Sequence, residues 1–227
     1  EGGDLALRAT SSEAPCSARA MEAAMTLFPD TAKPAKKPST RRENDRYLTP
    51  PMATSALMQA FPEIEGGLLL DPCAGDLRMS AQIQPGRFSQ ARTNDIDATS
   101  PAQTHMDATS AEAWGYWKQK RHGVWGPHPC WCVTNPPFGR ASAIAWQALE
   151  AGFHLALLLR ITWLEPTADR QWLARRPPTA QLVLPRIDFI GAGKADGATC
   201  CWFIWGPVKP GIQILRASDV GQTELFG

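Results

Sequence analysis

The chain of 227 residues has no excess of either charge and no long uncharged apolar stretch. Its 23 Lys and Arg nearly balance 22 Asp and Glu, so a nucleic-acid partner would need local basic patches. No segment has the length and apolar character of a membrane span, and no signal peptide is recognised. The sequence therefore predicts neither membrane insertion nor secretion. Its 44% hydrophobic content is enough for the core of one domain with a tail.

Paired cysteine motifs are also missing. Six cysteines are present, but none forms a Cys-x-x-Cys pair. Cys130 and Cys132 lie in one apolar run, and Cys200 and Cys201 lie in another. This pattern predicts buried free thiols, no metal site and a reducing, intracellular setting.

Residues 1–45 differ in composition from the rest of the chain. They are rich in Lys, Arg, Pro and Ser, which predicts a flexible basic arm with one short helix near 17–28. The arm either contacts a nucleic acid or only solubilises the chain. A single domain is expected over 46–227.

Within that domain, short apolar segments alternate with helical patterns. This alternation predicts an α/β fold with a mostly parallel seven-stranded sheet and helices on both faces. No helical pattern separates the last two predicted strands, which therefore form a C-terminal antiparallel hairpin. The predicted strands are 68–70, 92–97, 104–107, 130–134, 154–159, 181–184 and 200–205, with helices over 141–151 and 169–176.

The tetrapeptide Asn135-Pro136-Pro137-Phe138 follows one of these apolar strands. Two prolines remove two backbone donors and fix φ, and each keeps the preceding residue out of the helical region. A stiff loop results, with an amide and carbonyl oxygens beside an aromatic ring. It suits an exocyclic amino group, which needs acceptors for its two N–H bonds and a surface for its ring. A plain strand-to-loop turn is the alternative.

A second candidate site is the turn after strand 68–70. Segment 71–77 begins with Asp71 and contains one glycine, Gly75. Such a turn lets a ligand approach backbone N–H groups at the carboxyl end of a strand. It lacks the Gly-x-Gly-x-x-Gly pattern and a following lysine, so neither a dinucleotide site nor a P-loop is predicted. A simple strand-to-helix turn is the alternative.

Acidic residues follow the next two predicted strands. Asp95 and Asp97 lie about 20 residues beyond the turn, where a carboxylate that binds ribose hydroxyls is expected. Asp97 is preferred because it is nearer the predicted strand end. Asp107 is a candidate acceptor for an adenine amino group, or else an ordinary turn residue.

Upstream of these elements, a helix is predicted to begin at a pair of prolines. Thr49 is its predicted N-cap and Pro50 its predicted first residue. The N–H groups of such a helix end can also bind a carboxylate.

Together these elements resemble the S-adenosylmethionine-dependent amino-methyltransferases, above all the DNA adenine-N6 group. The cofactor half precedes the catalytic half, which is the gamma arrangement of that family. Segments 159–166 and 185–189 resemble small phage and prophage enzymes. The matching elements are Tyr47-x-Thr49-Pro50, Asp71-Pro72-Cys73-Ala74-Gly75, Asp97, Asp107 and Asn135-Pro136-Pro137-Phe138.

The resemblance implies a Rossmann-like methyltransferase fold, S-adenosylmethionine as cofactor, S-adenosylhomocysteine as product and DNA as partner. It also implies the cytoplasm of a bacterial or phage-infected cell. The cofactor-binding residues would be Tyr47, Thr49, Pro50, Asp71, Pro72, Cys73, Ala74, Gly75, Asp95, Asp97 and Asp107.

Within that set, the resemblance implies particular roles. Thr49 and its helix would hold the methionine carboxylate, and the turn from Asp71 to Gly75 would line the methionine and ribose. Asn135 and the Pro136 carbonyl would accept the protons of the target amine. Phe138 would stack on the target base. The family usually has a second glycine where this chain has Asp76 or Leu77.

Target recognition has few candidates in this sequence. No large recognition domain is expected, so short loops would contact the target with short or relaxed sequence specificity. The aromatic segment 114–118 is either a nucleic-acid surface or, preferably, a partly buried amphipathic helix. The basic candidates for nucleic-acid contact are Lys36, Lys37, Arg41, Arg42, Lys120, Arg121, Arg140, Arg186 and Lys194.

Three functions remain open from the sequence. Adenine-N6 methylation of DNA leads. The same chemistry on RNA adenine, cytosine N4 or a protein glutamine is the second. A catalytically inactive methyltransferase-like binding partner is the third. The sequence does not distinguish a monomer from a homodimer.

Overall fold

A computed structural model describes residues 48–124, 128–186 and 199–216. For residues 120–124, at the end of one helix, only the backbone is described. The described residues begin with α1 and alternate strands and helices as far as β4. The elements are α1 Pro51–Ala60, β1 Gly66–Asp71, α2 Arg78–Ile83, β2 Phe88–Thr93, α3 Ala111–Val124, β3 Cys130–Thr134, α4 Ala141–Glu150, β4 His154–Arg160, 3-10 helices Ile161–Leu164 and Ala168–Ala174, β5 Ala180–Val183, β6 Cys200–Trp205 and β7 Gly211–Ile214.

The described strands form one seven-stranded sheet in the order β2-β1-β3-β4-β6-β5-β7. Strands β2, β1, β3 and β4 are parallel to one another. Strand β6 is antiparallel to both β4 and β5, while β7 is parallel to β5. The predicted α/β class, the mostly parallel sheet and the antiparallel C-terminal pair are therefore confirmed.

Alternate side chains of the central strands enter two separate cores. In β1, Leu69 packs with α1 and α2 on one face of the sheet, whereas Leu68 and Leu70 pack with α3 and α4 on the other. The same alternation continues through β3, β4 and β6, because successive side chains of a strand point to opposite faces. Both faces are thus covered, which explains the nearly continuous apolar runs of these strands.

Several predicted strand and helix positions were wrong. Strand β2 is Phe88–Thr93 rather than 92–97, and only its first and last residues are buried, so it lacks an apolar run. The predicted strand 104–107 is reduced to one bridge between Asn94 and Thr104. Strand β7 was not predicted, since it has four residues and none is fully buried. The predicted helix 169–176 is the 3-10 helix Ala168–Ala174.

Helix α1 begins one residue later than predicted. Pro50 is its N-cap and is extended, with ψ of 140°, and Pro51 is its first residue. The reason is steric, because a proline keeps the residue before it out of the helical region. Thr49 is therefore not the N-cap.

Helix α3 is amphipathic, which agrees with the preferred prediction for the aromatic segment 114–118. Trp114 and Trp117 are buried, and the Trp114 indole donates a hydrogen bond to the Ala108 carbonyl. Their rings belong to the core and cannot stack on a base. Among the described helices, none is long and apolar enough to cross a membrane.

Candidate active site

The carboxyl ends of β1, β2 and β3 meet at one edge of the sheet. After β1 the chain places β2 on one side of it and β3 on the other. Ligands of open α/β sheets bind in the crevice at such a reversal of strand order. A cleft of about 430 Å³ lies there. The sequence-predicted residues that line it are Thr49, Asp71, Pro72, Cys73, Ala74, Gly75, Asp95, Asp97, Asp107, Asn135, Pro137 and Arg140.

Other predicted site residues are not among those that line the cleft in the described part of the chain. Pro136 is buried, and Phe138 packs against the core with the Arg160 guanidinium 5.2 Å from its ring centroid. Pro50 and the exposed Arg186 are absent from the cleft lining. Tyr47, Lys36, Lys37, Arg41, Arg42 and Lys194 lie outside the described residues, as do the side chains of Lys120 and Arg121.

The cleft also has an apolar wall that sequence reasoning missed. Its most unusual member is Ile96, 53% exposed between two acidic residues. An isolated apolar residue in an acidic loop is a sequence signal from which Ile96 could have been predicted. The wall is formed by Leu48, Met79, Ile96, Met106, Ala108 and Ile144.

Asp71 ends β1 as a fully buried carboxylate. Its Oδ1 accepts hydrogen bonds from the Thr134 hydroxyl at 2.8 Å and the Cys73 N–H at 3.3 Å. Its Oδ2 is buried and accepts no hydrogen bond from the described residues. Burial raises the pKa of Asp71 to about 7, even though the two hydrogen bonds oppose this shift. A buried, half-satisfied carboxylate in a cleft indicates a site for a hydrogen-bond donor or a cation.

Cys73 lines the same cleft but is not a candidate nucleophile. Burial and the adjacent Asp71 raise the pKa of its thiol, so the thiol stays protonated at neutral pH. No cluster of three or more His, Cys, Asp or Glu side chains arranged to hold a metal occurs within 48–119, 128–186 and 199–216.

The turn after β1 contains two residues with left-handed backbones. Gly75 has φ of +53°, and a Cβ built on it would meet nothing within 4 Å, so it faces open space in the cleft. Leu77 has φ of +67° and is one of the two residues, with Asp76, at which the resembling family usually has its second glycine. The left-handed conformation costs a non-glycine residue about 1–2 kcal/mol. The turn thus keeps its shape without the second glycine.

Asn94 joins the loops around the cleft and was not predicted from the sequence. Its fully buried amide donates to the carbonyls of Pro72 and Met106, both at 3.0 Å. Its Oδ1 accepts from the Thr104 hydroxyl at 2.9 Å and the Met106 N–H at 2.8 Å. The side chain therefore connects the turn after β1 to segment 104–106.

We expect Asn94→Ala to lower the free energy of unfolding by about 3 kcal/mol, since it removes four side-chain hydrogen bonds and leaves buried carbonyls without donors. Asn94→Asp should also destabilise the protein, because a carboxylate cannot donate to Pro72 and Met106. Urea denaturation measures both. The control is Gln103→Ala, whose exposed side chain makes one long bond of 3.4 Å and should change stability by less than about 0.5 kcal/mol. Equal stabilities of the alanine variants would contradict this role.

Asp95 and Asp97 have different surroundings. Asp95 accepts the N–H of Gly75 at 2.8 Å and of Asp97 at 2.9 Å, so it attaches the loop after β2 to the glycine turn. Asp97 accepts the N–H and hydroxyl of Thr99 at 2.9 and 2.7 Å. Both line the cleft, and either has the chemistry to bind a hydroxyl pair.

Asp107 and Arg140 form an ion pair across the cleft lining. The Arg140 Nη1 lies 3.1 Å from both carboxylate oxygens. Hydrogen bonds from the N–H and hydroxyl of Thr109, together with Arg140, hold the pKa of Asp107 below its usual value. Asp107 is therefore ionised at neutral pH.

Asn135 follows β3 directly and enters the cleft beside the start of α1. Its Nδ2 donates to the Thr49 hydroxyl oxygen at 3.1 Å, between residues 86 positions apart in the chain. This bond orients the side-chain amide. The tetrapeptide predicted to bind an amine therefore reaches the same cleft as the turn after β1.

No family model matches this sequence, and no curated protein is detectably similar to it in sequence. Solved methyltransferase structures do match its fold. A proposed RNA methyltransferase from Pyrococcus horikoshii has a TM-score of 0.50 at 16% identity, over 85% of this chain and all of that one. At that identity the likeness establishes the fold, a Rossmann-like methyltransferase fold.

Two further structures are more distant. A proposed class I S-adenosylmethionine-dependent methyltransferase from Listeria monocytogenes has a TM-score of 0.46 at 11% identity. The match covers 77% of this chain and 65% of the Listeria chain. The M protein of the type I restriction enzyme EcoKI has a TM-score of 0.45 at 13% identity, over 71% of this chain and 44% of its own. The present chain thus spans only part of both proteins.

Proposed function

We propose that this protein transfers a methyl group from S-adenosylmethionine to the N6 amino group of adenine in DNA. One observation carries the proposal: the glycine-bearing turn, the acidic loops and the Asn135 amide line a single cleft. In the resembling family the glycine-bearing turn and the acidic loops hold the methyl donor, and the amide holds the target amine. The fold shared with methyltransferases agrees with this arrangement.

The cleft fits the cofactor in two respects. The buried Asp71 Oδ2 lacks a hydrogen bond from the described residues, so it can accept one from the methionine ammonium. Gly75 leaves open space where a side chain would stand, and about 430 Å³ is within the range of small-molecule sites. Asp97 or Asp95 would bind the ribose hydroxyls, and Asp107 the adenine amino group.

The bound cofactor supplies an electrophilic methyl group on a sulfonium centre. Asn135 Oδ1 and the Pro136 carbonyl would accept the two N–H bonds of the target amine. These acceptors favour a more tetrahedral nitrogen and free its lone pair from the ring. The amine lone pair would take the methyl group, S-adenosylhomocysteine would be the leaving product, and the amine would release one proton to water. Catalysis would thus rest on positioning and electrostatics.

Adenine is the preferred base because Asn rather than Ser begins the tetrapeptide. In a duplex, the base must leave the stack to reach Asn135, and an aromatic surface offsets part of that cost. Phe138, the aromatic residue of the tetrapeptide, would supply this surface; in this structure its ring packs against the core, with the Arg160 guanidinium 5.2 Å from its centroid.

Tritium transfer from labelled S-adenosylmethionine to DNA, RNA and protein tests the proposal. We expect label in DNA, recovered as N6-methyladenine after digestion to nucleosides. Label in RNA or protein would assign the same chemistry to another polymer. Absence of label in all three, with S-adenosylhomocysteine bound, would instead support a binding module.

Thr49 should affect the rate through Asn135. We expect Thr49→Val to lower kcat about fivefold, because loss of a hydrogen bond worth about 1 kcal/mol leaves the Asn135 amide poorly oriented. Thr49→Ser keeps the hydroxyl and should keep most activity. Single-turnover rates at saturating cofactor measure the effect, and equal rates for the two variants would exclude the orienting role.

A further inference from the structure

Arg140 lies where the two halves of the cleft meet. It precedes α4 directly and follows Phe138 by two residues, while its partner Asp107 lies in the loop that follows β2. Both residues line the cleft, and their side chains are 51% and 41% exposed. The pair therefore connects the loop assigned to the cofactor adenine with the loop assigned to the target amine.

The hydrogen bonds of Asp107 fall unequally on its two oxygens. Its Oδ1 accepts from the N–H and hydroxyl of Thr109 as well as from Arg140. Arg140 Nη1 also occupies Oδ2 at 3.1 Å. An amino group that binds Asp107 in the cleft would therefore approach Oδ2, the oxygen on which the Arg140 guanidinium is the one donor among the described residues.

We propose that Arg140 couples cofactor occupancy to nucleic-acid binding. An adenine amino group on Asp107 displaces the guanidinium, which then contacts a phosphate beside the nucleotide held at the Asn135–Phe138 loop. The inference rests on the proposed function, since it requires the adenine end of the cofactor at Asp107.

A phosphate is the partner that this chemistry favours. The guanidinium is charged, half-exposed and two residues after the loop that would hold the target base in the proposed function, so a phosphate beside that base would lie near it. Release from Asp107 converts a neutral ion pair into an available cation. By reciprocity of linked equilibria, the nucleic acid must then strengthen cofactor binding by the same factor.

The test uses the full chain, S-adenosylhomocysteine and a short duplex DNA. DNA affinity is measured over a range of salt concentrations, with and without S-adenosylhomocysteine. We expect S-adenosylhomocysteine to strengthen DNA binding and to steepen the log–log salt dependence by about one unit, the effect of one added phosphate contact. In Arg140→Gln, S-adenosylhomocysteine should bind but leave the slope unchanged.

Asp107→Asn should show the steeper slope without any ligand, because the guanidinium has lost its ionic partner. The matched control is Arg176→Gln, which removes an ion pair of similar exposure, 45% and 50%, with Glu150 at the opposite end of α4. This control should respond to S-adenosylhomocysteine like the unmodified protein.

Two results would overturn the coupling: an unchanged slope in the unmodified protein while calorimetry records S-adenosylhomocysteine binding, or an Arg140→Gln variant that keeps the change of slope. Failure of S-adenosylhomocysteine to bind at all would instead overturn the proposed cofactor and this inference with it.

Discussion

Replacing Asn135 by Ala should reduce kcat by about 10²–10³-fold, the usual effect of removing one aligned group at a reacting centre. In the proposed mechanism its Oδ1 accepts an N–H of the target amine, while its Nδ2 donates to the Thr49 hydroxyl. The methyl donor would be bound by the β1 and β2 loops, so affinity for S-adenosylhomocysteine should change little. Pre-steady-state transfer rates and calorimetry measure the two quantities.

A graded control sharpens this test. Asn135→Asp keeps an acceptor oxygen but loses the Nδ2 donor to Thr49, so its rate should lie between those of the unmodified protein and Asn135→Ala. A fully active alanine variant would remove Asn135 from the mechanism. A large loss of S-adenosylhomocysteine affinity would instead place Asn135 in the cofactor site.

Replacing Asp71 by Asn should weaken S-adenosylhomocysteine binding by about 100-fold above pH 7, because truncating one member of a buried charge pair typically costs 2–5 kcal/mol. In the unmodified protein, affinity should rise as the pH passes through about 7, since Asp71 ionises there and the ligand carries an ammonium. Titration calorimetry at pH 6 and pH 8 measures both effects. Asp71→Asn should lose this pH dependence.

The same substitution should stabilise the ligand-free protein. The folded pKa of about 7 lies above the value of about 3.9 expected for an unfolded Asp. Folding therefore favours the protonated form, and the contribution of this group to stability is lost as the pH rises from about 4 to about 7. Asp71→Asn cannot ionise, so at pH 8 it should be more stable by on the order of 2–4 kcal/mol.

Urea denaturation without ligand at pH 5 and pH 8 checks the sign of this effect. The stability difference between Asp71→Asn and the unmodified protein should be larger at pH 8. An equal difference at both values would show that Asp71 does not titrate between them. Thr134→Val is the matched control, because it removes one hydrogen bond from Asp71 without removing the carboxylate.

Sequence reasoning located the parts of the cleft whose signals are local. Asn135-Pro136-Pro137-Phe138 and the turn from Asp71 to Gly75 directly follow buried apolar strands, so their places at strand ends could be predicted. Helix α4 was predicted nearly to its bounds because Gly152, with φ of +79°, follows it. In each case neighbouring residues impose the conformation.

Residues that act through distant partners could not be predicted in this way. Asn94 has the composition of an ordinary loop residue, and only its four bonds to Pro72, Thr104 and Met106 show its role. The bounds of β2 were predicted wrongly because most of its side chains are not buried. Its position is decided by hydrogen bonding to β1, which leaves no apolar pattern in the sequence.

The sequence by itself determined the class of fold, the stiff proline loop and the acidic and glycine-bearing turns, since these depend on backbone preferences and burial of adjacent residues. Only the tertiary structure decided how they combine. Strand order brings Thr134 to Asp71, and the start of α1 to Asn135, across 63 and 86 residues of chain. It also joins Asp107 to Arg140 across 33 residues. Such contacts depend on how strands pair in space, and neither partner carries a local signal for the other.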